Sequence, residues 1–376
     1  MAQTKTLSDR DYAPLFNLAN QNNQRYKLHE HAGKVVVLFF YASDRLPACQ
    51  KIAQSFQAKI EQFHKLGVEV ASIAPDSVSE RAEFAQSQGI SFPLLADQNA
   101  KICKEYGILH EQQAEGRTDY VFHRAIFLIN PNLRIFKIYN AASLADPAAA
   151  VLSDITEMFP SQVPQHLVNH APVLLIPNVI SPEFCQELID VWHTRGNQDS
   201  GFMRSEGEKT VGYLDYEHKI RRDHFVREGQ LRDRIDRIMN RRVFPEIKKA
   251  FCYEVTRREA YKIACYNSAS GGYFRPHRDN LTGGTAHRKF AMTLNLNVEE
   301  YEGGYLKFAE YGPHLYKPTT GSAVIFSCSL LHEATDVTAG IRFALLSFFY
   351  SDNEAQHRTE YETKAKNDYA QVVVKH

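Results

Sequence analysis

Two histidines and an aspartate in this chain have the types and spacing of ligands for one divalent metal. His277-Arg278-Asp279 is a His-x-Asp pair. In extended chain residues i and i+2 point to the same side, so both side chains can reach a single ion. His332 follows the apolar stretch 322–327 (SAVIFS), at a strand end from which a second imidazole could be delivered. Two imidazoles and one carboxylate on one face of a ferrous ion leave the opposite face open for cosubstrate and oxygen. A lone His-x-Asp arises often by chance, and His332 by itself reads as a satisfied core or surface histidine. Arg342 adds weight, because it lies in the most apolar strand of this half, residues 341–350 (IRFALLSFFY). A guanidinium there is costly unless a carboxylate meets it. That partner is either an internal Asp or Glu in a structural ion pair, or the distal carboxylate of 2-oxoglutarate gripped bidentately.

Three chain-distant donors need a sheet scaffold to converge. From Tyr261 onward the sequence is mostly short strands separated by Gly, Asn, Asp and Pro, as in an antiparallel sandwich or jelly roll. Residues 290–297 alternate strictly, with Phe290, Met292, Leu294 and Leu296 on one face and Ala291, Thr293, Asn295 and Asn297 on the other. The small, polar face suits a cavity wall or, alternatively, a solvent-facing side. Gly271-Gly272 marks a tight approach before the ligand strand, and Gly303-Gly304 reads as a hairpin turn. The N-terminal half reads differently. Strands at 34–41, 68–74, 125–129 and 135–139 alternate with helices at 47–66 and 77–88, the latter followed by Gly89. That alternation predicts an α/β layer structure. Periodicity fails around residues 158–173, which hold three prolines. The expected organisation is therefore a domain at 1–160, a linker at 161–171 and a second domain at 172–376. The second domain starts with a strand at 174–179 and a helix capped by Ser181 with Pro182 at its first position.

Composition sets limits on function. Of 376 residues, Lys and Arg number 44 and Asp and Glu also 44. A general nucleic-acid or anionic-membrane binder would need a basic excess. The arginine-rich run 232–242 carries Leu231, Ile235, Ile238 and Met239 at helical spacing, so its charges read as the wet face of a helix. No apolar run approaches the ~18 residues of a membrane span, and the first twelve residues lack the apolar core of a secretory signal. The six cysteines are scattered without a CxxC, which fits a reducing, cytoplasmic setting. Oligomeric state is not legible.

Residues 172–352 resemble the prolyl 4-hydroxylase-type branch of the iron(II)/2-oxoglutarate dioxygenases. The matching stretches are IACYNSASGGYFRPHRDN, RKFAMTLNLN, EEYEGGYLKF, GSAVIF and HEATDVTAGIRFALLSFFY. The resemblance implies an α+β domain built on a double-stranded β-helix, a form of jelly roll. It implies iron ligands His277, Asp279 and His332, and Arg342 on the distal carboxylate of 2-oxoglutarate. Tyr266, Thr293 and Asn295 fall where the cosubstrate lies; some relatives have a tyrosine at the Asn295 position. The reaction implied is hydroxylation of a C–H bond, such as that of a prolyl side chain in a protein or peptide, with O2 consumed and 2-oxoglutarate decarboxylated to succinate. Ascorbate is the reductant to test, and a small-molecule substrate is the other class.

Residues 5–160 resemble the peroxiredoxin group of thioredoxin-like folds, on FFYASDRLPACQKIAQSF and HRAIFLI. Cys49 falls at the nucleophile position in the first turn of a helix, where backbone N–H groups favour thiolate. Arg124 matches the arginine that supports it. Ala42 and Leu46 stand where the family has Pro and Thr, and Gln54 occupies one common resolving position. Cys103 could resolve, or be a buried helix residue. The alternative function is thus a thiol peroxidase using Cys49, with a regulatory oxygenase-like domain.

Overall fold

The computed structural model describes residues 7–114, 117–159, 166–207, 209–227, 229–365 and 373–374. Residues 1–6 and the first part of the expected linker, 161–165, lie outside them. The chain forms two compact units, Met1–Gln165 and His166–His376. No helix among the described residues is long and apolar enough to cross a membrane.

In the first unit the apolar strand Val36–Phe40 sits inside a seven-stranded sheet. It runs parallel to Glu69–Ala74, which runs parallel to Leu94–Ala96, and antiparallel to Ala125–Ile129. Strand alternation sends Val37, Phe39 and Tyr41 into one core and Val36, Leu38 and Phe40 into another. Helices on both faces explain why the strand is an unbroken apolar run. Ser77 and Glu80 form a reciprocal capping box at the start of helix Val78–Gln88, and Gly89 ends it in the left-handed region at φ 63°. The expected single helix over 47–66 is two, Pro47–Ala58 and Ile60–Lys65, interrupted at Lys59 (φ −118°, ψ 8°), although no Gly or Pro marks the break.

A buried ionic cluster lies under the loop that precedes Cys49. Arg81 is fully buried and donates to Asp44 Oδ1 and Tyr41 Oη, each at 2.8 Å, and to Ser72 Oγ at 2.6 Å. Burial works against its charge, but Tyr41 and Asp44 hold the guanidinium above its usual range. Removing one partner leaves the other charge buried without compensation. Arg81→Ala is therefore expected to cost about 3–5 kcal/mol, read as a fall in the unfolding midpoint. A loss under about 1 kcal/mol, typical of an exposed pair, would refute this account of the cluster.

The second unit holds a nine-stranded and a five-stranded sheet, antiparallel at every pairing described here. In the larger, Ala323–Ser327, Phe290–Asn295, Val337–Tyr350, Tyr261–Asn267 and Arg222–Val226 lie side by side. In the smaller, Tyr273–His277 lies beside His332–Ala334. The larger sheet packs one face on helices Pro182–Thr194, Gln230–Arg242 and Phe244–Phe251. Phe290, Met292, Leu294 and Leu296 point into that core, as their alternation predicts. Ser181 caps the first of these helices, its Oγ accepting from Phe184 N at 3.3 Å.

Two sequence expectations are corrected. His332 does not end the strand before it; the chain turns after Ala323–Ser327 and His332 opens a separate strand in the other sheet. Gly303-Gly304 is not a hairpin. Tyr301–Gly303 pairs with Val337–Tyr350, whereas Leu306–Lys307 pairs in the five-stranded sheet, so the glycines carry the chain between sheets. The crossing needs φ of 71° and 59°, which glycine adopts without steric cost.

Candidate metal and cosubstrate site

Register brings the two imidazoles together. His277 and His332 are direct partners across the Tyr273–His277/His332–Ala334 ladder, with ring centroids 4.3 Å apart. Asp279 follows two residues after His277, and its backbone N–H donates to Cys328 O at 2.9 Å, which turns its carboxylate back to the same place. Asp279 Oδ1 is 3.6 Å from His277 Nε2, and Oδ2 is 3.4 Å from His332 Nε2. The three candidate ligand atoms all lie within 4.8 Å of one another.

The far nitrogens are tied down. His277 Nδ1 is 2.8 Å from Arg275 O and His332 Nδ1 is 3.0 Å from Leu330 O. A carbonyl only accepts, so each Nδ1 carries the proton and each Nε2 keeps its lone pair. Burial pushes the His277 pKa down to about 4, against the pull of Asp279, so this ring is neutral at pH 7. Burial works to raise the Asp279 pKa, yet the two imidazoles hold it well below the usual carboxylate range. Arg278 points away and pairs with Glu310 at 2.6 Å.

These residues line a cavity of about 800 Å³ that also takes in Tyr266, Thr293 and Arg342. Arg342 is 2% exposed, and no carboxylate among the described residues lies within ion-pair reach of it. Its Nε is buried without a hydrogen-bond partner. Tyr266 is its cross-strand partner, with the guanidinium carbon 4.8 Å from the ring centre. The Tyr266 hydroxyl accepts from Arg221 Nη1 at 3.2 Å, and Arg221 pairs with Asp223 at 2.6 Å. Asn295 is not among the lining residues; its amide donates to Pro318 O at 2.7 Å. Of the site residues expected in this unit, His277, Asp279, His332, Arg342, Tyr266 and Thr293 meet in one cavity and Asn295 does not.

Several contributors to the cavity were not singled out from sequence. Glu259 accepts from Arg288 Nε at 2.6 Å and Arg288 Nη2 at 3.0 Å. Lys262 lines the wall, and period-two reading of Tyr261–Asn267 would have put it on the face of Tyr266. Gly304, read from the sequence only as a turn glycine, serves the site without lining the cavity. A Cβ there would lie 2.8 Å from Arg342 Cδ, so this glycine makes room for the arginine stem.

In the first unit Cys49 is the third residue of helix Pro47–Ala58 and only 2% exposed. Leu46, at the cap, offers no side-chain hydrogen bond. Arg124 directly precedes Ala125, the partner of Phe40, so it lies at the sheet end where the loop to Cys49 departs. Among the described residues no hydrogen bond or ion pair joins Arg124 to Cys49. Cys103 packs in the core on the opposite side of the sheet from Cys49. Burial, with Asp97 beside it, pushes the Cys103 thiol far above its ordinary value. A disulfide needs Cα atoms within about 7 Å, which an intervening sheet forbids. Peroxide treatment should thus yield no peptide linked through Cys49 and Cys103 on non-reducing mass mapping; finding one in the folded protein would overturn this placement.

Comparison with known proteins agrees with both units. Residues 10–138 match the AhpC/TSA family, and residues 261–350 match the 2OG-Fe(II) oxygenase superfamily. A Mycobacterium tuberculosis protein described as a peroxiredoxin is 30% identical over 135 residues, covering 36% of this chain and 86% of that protein. Peroxiredoxin Bcp of Escherichia coli K12 is 27% identical over 147 residues, covering 39% of this chain and 94% of its own. A solved structure of Xanthomonas campestris peroxiredoxin Q is 26% identical, covering 38% of this chain and 90% of that one, with a TM-score of 0.37. The chain belongs to the AhpC/TSA family through its N-terminal unit, and residues 261–350 carry a 2OG-Fe(II) oxygenase domain.

Proposed function

We propose that the C-terminal unit is an iron(II)- and 2-oxoglutarate-dependent hydroxylase acting on a C–H bond of a protein, peptide or small molecule, a prolyl side chain being one candidate. The two sheets around the cavity are read as its double-stranded β-helix, and the domains as 1–160 and 172–376. The observation that carries this reading is a His-Asp-His set sharing a cavity with a buried arginine that has no carboxylate partner among the described residues. The donor set fits a ferrous ion, being two imidazole nitrogens whose lone pairs face the cavity and one anionic oxygen. The orphaned Arg342 Nε fits a ligand bearing a carboxylate at its far end.

In this reading His277, Asp279 and His332 hold the metal, and Arg342 holds the distal carboxylate of 2-oxoglutarate. When bound, iron would let O2 act as the four-electron oxidant, two electrons coming from 2-oxoglutarate, which leaves as succinate and carbon dioxide, and two from the substrate C–H bond. The carbonyls of Arg275 and Leu330 keep the Nε2 lone pairs aimed inward. Asp279 stays ionised and neutralises part of the metal charge. Tyr266 covers one face of the guanidinium, and Thr293 contributes a small polar wall that leaves room for the cosubstrate. Ascorbate serves as an external reductant, and a reducing cytoplasmic setting suits the free thiols.

Anaerobic addition of iron(II) and then 2-oxoglutarate tests the reading directly. Expected is the visible charge-transfer absorption of a 2-oxo acid chelated to ferrous iron, followed by succinate release on admitting oxygen. Absence of both with saturating metal would sink it. The first-turn position of Cys49 in a peroxiredoxin-family unit favours a second activity, thiol peroxidation. Peroxide consumption that is unchanged in Cys49→Ser would remove it.

A further inference from the structure

Among the described residues that line the cavity, one cation is accounted for neither by the fold nor by the proposed cosubstrate. Arg258 pairs with Asp236, Arg278 pairs with Glu310 at 2.6 Å, and Arg358 donates to the Tyr350 hydroxyl at 3.0 Å. Arg221 is matched by Asp223 at 2.6 Å and Arg288 by Glu259 at 2.6 Å. Lys219 is buried, but its ammonium donates to Ser200 Oγ at 2.8 Å and Gly201 O at 2.6 Å. Arg342 is the partner proposed for 2-oxoglutarate. Lys262 remains. It is half-buried on the cavity wall, and among the described residues no hydrogen bond or ion pair engages its ammonium. The charges that act on it come as two ion pairs, Glu259 with Arg288 and Asp223 with Arg221, so both acids are already committed.

The surroundings of Lys262 are aromatic and aliphatic. Phe225 is its cross-strand partner on one side and Leu346 on the other. The ammonium lies 5.6 Å from the Phe225 ring centre and 5.2 Å from that of Phe348. Burial pushes the lysine below its ordinary range, the nearby acids pulling only partly against it. On the same strand face, Tyr266 at the Arg342 end lies four residues away, about 13 Å along the strand. The two cations therefore mark separate places in the cavity. A single ammonium between two phenyl rings matches one carboxylate on an apolar stem. A phosphate would call for more donors than one ammonium.

We propose that Lys262 anchors the substrate of this oxygenase by a carboxylate, so that the substrate class is an organic acid or a peptide-borne acidic side chain with an apolar body. This rests on the reading of the C-terminal unit given above and names its substrate chemistry.

The test is calorimetric titration of the full chain, anaerobic, loaded with iron(II) and saturated with 2-oxoglutarate. The probes are hexanoate, its neutral counterpart hexanamide, and a capped tripeptide with a central glutamate. Hexanoate or the peptide should bind, with hexanamide at least tenfold weaker. Lys262→Met should weaken the acidic probe at least tenfold and leave hexanamide as it was, and Lys262→Arg should keep the acid within a few-fold. The tighter of the two acids identifies the source of the carboxylate. Circular dichroism and the unfolding midpoint show that both variants are folded. Equal acid binding in wild type and Lys262→Met overturns the proposal, as does hexanoate that binds only when 2-oxoglutarate is left out, since it would then occupy the Arg342 end. If 2-oxoglutarate itself fails to bind, the oxygenase reading fails, and the Lys262 dependence of hexanoate binding can still be read separately.

Discussion

Arg342→Met is expected to raise the KM for 2-oxoglutarate by roughly 30-fold or more while leaving the ligand-free protein as stable as before, or more so. The first half follows from the strength of a buried carboxylate–guanidinium pair, whose truncation costs about 2–5 kcal/mol, at tenfold per 1.4 kcal/mol. The second half follows from what surrounds Arg342 now. Its Nε is buried without an acceptor, and it has no carboxylate partner among the described residues. A methionine of similar reach removes that uncompensated charge from the free protein. The combination separates two accounts. Were Arg342 half of a structural ion pair, its loss would lower stability by about 3–5 kcal/mol without a selective effect on the cosubstrate. Calorimetric unfolding without ligand, set beside KM and kcat for 2-oxoglutarate turnover, decides between them. A collapsed unfolding midpoint with an unchanged KM would refute the cosubstrate role.

Asp279→Ala should be the more severe lesion for the reaction itself. The carboxylate is the only anionic donor of the set, and its oxygens sit 3.6 and 3.4 Å from the two Nε2 atoms. Substitution of partners that merely orient metal ligands costs 10–100-fold in affinity; losing a ligand should cost at least ~100-fold. Ferrous titration should show that loss, and succinate production should fall to background. His277→Ala should behave alike, because His332 and Asp279 alone cannot complete a face of the ion. Turnover within a few-fold of wild type in Asp279→Ala would mean that the reacting metal sits elsewhere.

Much of this site could be read from residue order, and the reasons are local. His277 and Asp279 are two residues apart, a spacing that in extended chain puts both side chains on one side; the strand ends at His277, and the turn that follows completes the approach of Asp279. The alternation at Phe290–Asn295 separates the helix-facing side from the cavity side in the same direct way. The choice between an internal acid and a ligand for Arg342 could not be made from sequence. It depends on the whereabouts of Asp223 and Glu259, and each of these is engaged by a different arginine. That His332 opens a new strand is hidden in the sequence, because the turn at 328–331 (CSLL) contains neither Gly nor Pro. Gly303-Gly304 was misread for a related reason. Paired glycines report positive φ, not which sheet the chain enters next. The Arg81–Asp44 cluster is not legible in the sequence because its two charges are 37 residues apart; they are brought together by the sheet that carries Tyr41 and Ser72.

The direct opposition of His277 and His332 has a bearing on how the chain matures. In a ladder of this kind, sliding one strand by a single residue turns every side chain to the other side of the sheet. Such a slip would carry one imidazole out of the cavity while leaving the backbone pairing nearly intact. In the proposed reading, capture of iron would double as proofreading: a misaligned ladder could not hold the ion, and an ion once held would pin the ladder in its proper alignment.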